Sequence, residues 1–174
     1  MARRYDPGRR QRIIDAAIRV VGAKGIAGLS HRSAAAEADV PLGSTTYHFA
    51  TLDDLLVAAL RQANEAFTPT LPPGVDLAQA LAGLLGELLS ADRARAELEY
   101  ELYLAALRRP ALRSVAAEWC ESMAAALSLS GRVDPTTARA VVAVMDGISL
   151  QVLLTGAEYD EPYAREVLGR VLRP

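Results

Sequence analysis

Side chains suited to acid–base, metal or nucleophilic chemistry are few in this chain and scattered along it. There are two histidines, His31 and His48, and one cysteine, Cys120. No His/Cys/Glu spacing suits a metal ion, and no glycine-rich loop is built to cradle a phosphate. Glu97, Glu99 and Glu101 alternate, so on a helix they spread over different faces and read as solvated rather than as an acid and base pair. Neither catalysis nor a cofactor nor a metal is expected. Hydrogen-bonding capacity does gather in one place. Both histidines fall between Ser30 and Phe49, together with Arg32, Ser44, Thr45, Thr46 and Tyr47. Groups of these types donate to phosphates and reach base edges in a DNA groove. A lone histidine is equally a packing residue, so for His31 and His48 both readings stand.

Two short helices joined by a tight turn would present these groups. Ser30 offers an N-cap oxygen to the first, which continues through Ala34, Ala35, Ala36 and Ala38. Asp39-Val40 makes the corner, since Asp tolerates a left-handed backbone better than most residues. Pro41 can start the second helix, where its missing N–H costs nothing. Small residues on the first helix let the second cross it closely, which is the layout of a helix-turn-helix. In the second helix Leu42, Gly43, Ser44 and Thr46 are expected to face a major groove, with Thr45 turned inward. Gly43 would let the backbone approach the duplex.

The run VPLGSTTYHF followed by ATLDDLL resembles the end of the DNA-binding domain of the TetR family of bacterial transcriptional regulators. RRQRIIDAAIRVVGAKGIAGLS resembles that family's first helix and the loop after it. The resemblance covers roughly the first third of the chain. It implies an all-α fold of about nine helices, with a three-helix DNA-binding domain in residues 1–50 and a helical regulatory and dimerisation domain in residues 51–174. It also implies a repressor that binds a double-stranded DNA operator as a homodimer and is released by a small apolar effector. Arg32 matches a family position that reaches DNA, His31 one that contacts phosphate, and Tyr47 and His48 resemble the aromatic pair closing the recognition helix. Two departures stand out: Leu52 replaces the usual lysine, and Leu42 an often polar residue. The recognition helix therefore contains no Lys or Arg.

The same resemblance implies an inducer pocket among the middle helices. Tyr100, Tyr103, Leu104, Trp119, Met123, Met145 and Gln151 are its candidate lining, although each alone reads equally as core. The helix from Pro135 to Gly156 is apolar nearly all round and so must be covered on both sides. Val141, Met145, Ile148 and Val152 on it, with Val167 and Val171 on the last helix, are the expected dimer interface. Burial inside a monomer is the alternative.

Composition agrees with this outline. Of the 174 residues, 51% are hydrophobic and 23% charged, so a real core is expected and disorder is not. Residues 1–50 hold eight basic and four acidic side chains, a balance of +4, while residues 51–174 hold eleven and seventeen, a balance of −6. A basic head on an acidic body suits a protein that offers one end to a polyanion. Arg3, Arg4, Arg9, Arg10 and Arg12 would serve phosphates or a narrow minor groove if carried on a mobile arm, a solvated basic tail being the alternative. A single cysteine excludes an internal disulfide and fits a reducing cytoplasm. No apolar run is expected to reach membrane-spanning length, and no membrane partner is anticipated. A rival function is a helical interaction module in which the Ser30–Phe49 segment packs instead of reading DNA.

Overall fold

A computed structural model describes residues 6–66 and 74–173. They form nine α-helices and no strand. Residues 6–66 pack with 98–115, and 74–97 pack with 116–173. This division departs from the boundary after residue 50 expected from the sequence.

In the first unit, α1 (Arg9–Lys24) buries Ile13, Ile14, Ala17, Val20 and Val21. Gly25 ends it at φ 69°, a backbone conformation costly for any residue with a side chain. A 3₁₀ turn (Ile26–Gly28) leads to α2 (His31–Glu37), then α3 (Leu42–His48) and α4 (Leu52–Ala66). The turn passes so close to α1 that a Cβ on Gly28 would lie 2.5 Å from that of Lys24. Ile13, Leu55, Leu56 and Leu60 are fully buried where α1 meets α4, each contributing about 1.5–3 kcal/mol of apolar burial. Thr51 caps α4 as its composition predicts. The Asp54 N–H donates to Oγ1 of Thr51 at 3.1 Å, and the Thr51 N–H to Asp54 at 2.8 Å.

In the second unit, α5 (Leu77–Gly86) is capped by Asp76 and runs into a π turn (Glu87–Ala91). α6 (Arg93–Ala105) and α7 (Arg113–Leu129) each contribute residues to both units. α8 (Pro135–Thr155) and α9 (Glu161–Leu172) complete the chain. Leu81, Leu85 and Leu89 pack with Val141, Met145, Ile148, Ala164 and Leu168 in one core.

Two sequence expectations are corrected here. Among the described residues α8 is, by length and composition, apolar enough to cross a membrane. Its inner arc lies in the unit's core. Second, Pro41 is the N-cap of α3 rather than its first helical residue. Its ψ of 142° is extended, and Leu42 opens the helix.

Candidate nucleic-acid interface

The turn between α2 and α3 folds as its residues dictate. Ser30 and Ser33 form a reciprocal cap on α2: the Ser33 N–H donates to Oγ of Ser30 at 3.0 Å, and the Ser30 N–H to Oγ of Ser33 at 2.8 Å. Asp39 takes φ 51°, the left-handed corner expected of it. Thr45 is fully buried, and its hydroxyl donates to the Leu42 carbonyl at 2.8 Å.

At about 100° per residue, α3 sorts its side chains into two arcs. Leu42 (46% exposed), Gly43, Thr46 and Tyr47 (83% exposed) make the open arc. Ser44 and Thr45 lie on the closed arc with half-buried His48. Ser44 is thus a correction. It sits about 160° from Thr46 around the helix axis and is buried rather than presented to a groove. Tyr47 and His48 meet edge to face at 5.1 Å between ring centroids, which braces the exposed ring against the half-buried one.

Arg32 is exposed on α2. Glu37, five residues on in the same helix segment, pairs with Arg19 at 2.6 Å and not with Arg32. His31 is half-buried at the start of α2, with Nδ1 shut off from water and without a hydrogen-bond partner among the described residues. It lies close enough to Asp54 to help hold that carboxyl below its usual range, after the larger effect of hydrogen bonds from Thr51. Arg3 and Arg4 lie outside the described residues. Arg9, Arg10 and Arg12 belong to α1 rather than to an arm. Asp6 pairs with Arg12 at 2.6 Å and with Arg9 at 3.8 Å, and the Arg12 guanidinium keeps the Asp6 carboxyl below the usual range. The guanidinium of Arg10 instead lies over the Phe49 ring, 5.2 Å from its centroid.

Sequence reasoning missed two anchors of this unit. Glu101, expected to be solvated, is half-buried and accepts the Ile26 N–H at 2.6 Å. Arg109 pairs with Asp53 at the start of α4. Both join residues far apart in sequence, so no local spacing announces them.

Among the residues expected to hold an effector, Tyr100 and Tyr103 stand with ring centroids 6.3 Å apart, and Leu104 is 43% exposed. All three belong to the first unit, whereas Trp119, Met123, Met145 and Gln151 belong to the second. Trp119 and Met123 are half-buried one turn apart on α7. Met145 lies in the closed core, while Gln151 is exposed about 120° away on α8, so these two share no face. A cleft of about 720 Å³ lined by Asp76, Leu77, Arg132, Arg165 and Gly169 includes none of the expected effector residues.

Of the six residues expected at a dimer interface, four face the subunit's own core. Val141, Met145, Ile148 and Val152 are buried in the subunit's own core at 0, 8, 7 and 9% exposure. Val167 and Val171 are half-buried on α9. The open arc of α8 is formed by Ala140, Ala143, Gln151 and Leu154 around half-buried Gly147, with Leu154 77% exposed.

Comparison with known proteins gives this geometry its context. Residues 73–174 match the family model described as tetracyclin repressor-like, C-terminal domain. The chain is 30% identical over 160 residues to the HTH-type nicotine-responsive transcriptional repressor HdnoR of Paenarthrobacter nicotinovorans, covering 82% of each. It is 70% identical to the multidrug binding protein EbrR in its crystal structure with imidazole, with a TM-score of 0.88 and 97% of each chain covered. Against the EbrR complex with ethidium the identity is 70% and the TM-score 0.87, covering 95% of this chain and 99% of that one.

Proposed function

Because the chain belongs to the TetR family of bacterial transcriptional regulators, we propose that it acts in the cytoplasm as a homodimeric repressor, reading a palindromic operator and releasing it when a flat aromatic cation binds. The protein is an effector-responsive, DNA-binding regulator and not an enzyme. Family membership sets aside the rival of an interaction module without DNA.

The observation that carries the reading is the open arc of α3. Leu42, Gly43, Thr46 and Tyr47 are exposed beside Arg32, while Thr45 pins the helix from beneath. Thr46 can bond several base edges, its methyl and Leu42 can touch thymine methyls, and Tyr47 and Arg32 suit phosphates or guanine. Hydroxyl and methyl contacts each discriminate less than the roughly 1–3 kcal/mol of a bidentate pair, so a second copy must supply the missing affinity. The open arc of α8 suits that copy, because small residues at Ala140, Ala143 and Gly147 let another helix approach closely, with Tyr163 and Val167 of α9 alongside. Two-fold symmetry would then set the reading helices about 34–36 Å apart, one turn of DNA.

The effector class follows from chemistry shared among the relatives. Imidazole, ethidium and nicotine are aromatic nitrogen compounds that are cationic or readily protonated. Trp119 supplies a ring face, and the excess of acids after residue 50 favours a positive ligand. We take the small effector expected from the sequence to be an aromatic cation.

The test selects genomic fragments bound by the chain and measures polarisation of a labelled selected duplex. Tight binding that ethidium reverses, while a neutral aromatic of similar size does not, is the expected result. A chain that retains no fragment ends the reading.

A further inference from the structure

Five arginines precede or open α1, but those in the described part are not equivalent. Asp6 pairs closely with Arg12 and more loosely with Arg9. Arg10 has no carboxylate partner among the described residues, and neither undescribed internal nor N-terminal stretch contains an acid. Its side chain is exposed, yet its guanidinium has a fixed seat over Phe49, itself 2% exposed and the residue that closes α3. Stacking engages only the guanidinium's face and leaves its in-plane fork of N–H donors free. A side chain already held by a ring also loses less rotamer freedom on binding than a loose one. Neither α3 nor the start of α4 supplies such a cation: α3 has no Lys or Arg, and Leu52 opens α4 without charge, so the other exposed guanidinium near α3 is that of Arg32 on α2.

We propose that Arg10, seated on Phe49, is a phosphate clamp at the end of the reading helix, supplying backbone charge that α3 lacks. This rests on the DNA-reading function above. The clamp grips one phosphate and carries no base preference, so it fixes the depth and tilt of α3 while Thr46 and Leu42 read the bases.

Two duplexes test it: one selected from genomic fragments by the wild-type chain, and one of scrambled sequence. Arg10→Gln is expected to weaken both about tenfold and to reduce the slope of log affinity against log salt by about 0.9, the loss of one phosphate contact. Arg12→Gln removes the same charge from a guanidinium that Asp6 already holds, and should change the slope by less than half as much. Arg10→Lys should restore the slope but only part of the affinity, because an ammonium has no planar fork.

An unchanged slope in Arg10→Gln, equal losses in Arg10→Gln and Arg12→Gln, or a loss confined to the selected duplex would each overturn the clamp. The first two say that Arg10 makes no special contact, and the third that it reads a base. A wild-type chain binding neither duplex would instead remove the DNA-reading function itself.

Discussion

Tyr47 and Ser44 stand three residues apart within a seven-residue helix, and their environments assign them opposite duties. Tyr47 is 83% exposed and braced only by His48. Replacing it with Ala should weaken operator binding about tenfold while leaving thermal stability nearly unchanged, as surface substitutions usually do. Polarisation and melting curves on the same sample check both halves. Ser44 at 6% exposure belongs to the fold. Composition placed hydroxyls in this helix, but a heptapeptide has too few apolar residues to show which arc is buried. Asp39 was legible because so few residue types accept a positive φ. The partner of Glu37 was not, because it depends on where Arg19 stands.

Among the elements, helix limits were largely written in caps and breakers: Ser30, Thr51, Asp76, Pro135 and Gly156 mark ends that the structure keeps. The ties between distant segments were not. Glu101 accepts the Ile26 N–H, so Glu101→Ala leaves a partly buried donor unpaired and should lower unfolding free energy by about 1–3 kcal/mol in urea titration. Glu101→Gln, which keeps an acceptor, should lose less. The link from α8 to α9 carries a second tie, where the Tyr159 hydroxyl donates to the Ala82 carbonyl at 2.6 Å. Burial, with smaller contributions from Glu161 and Asp160, pushes this phenol up to about 12 from 10.0. The folded state thus holds the proton more tightly than the unfolded chain. The corresponding stability is fully present below pH 10 and is lost as pH rises from 10 toward 12. Tyr159→Phe should flatten that decline when stability is followed across the range.

For the molecule as a whole, the apolar character of α8 was plain in the sequence, but its direction was not. Val141, Met145, Ile148 and Val152 point inward, leaving Ala140, Ala143, Gln151 and Leu154 outside. An all-round apolar helix has no polar stripe to orient it, so only packing could decide. A Cβ at Gly147 would meet nothing within 4 Å in the single chain. Gly147→Arg should therefore fold normally, yet sediment as a monomer and lose operator affinity at least tenfold, since the proposed interface needs two such helices in close approach. A Gly147→Arg chain that stays dimeric would redirect the search for the interface to another surface.

The uncharged face of α3 also bears on how such a regulator behaves in a genome. Hydroxyls and methyls forgive a changed base more readily than an arginine fork does, so imperfect sites lose little. Occupancy across a family of degenerate sites then becomes graded by protein dose. Promoters would be silenced in order of their match as the regulator accumulates, and freed in the reverse order as effector draws it away.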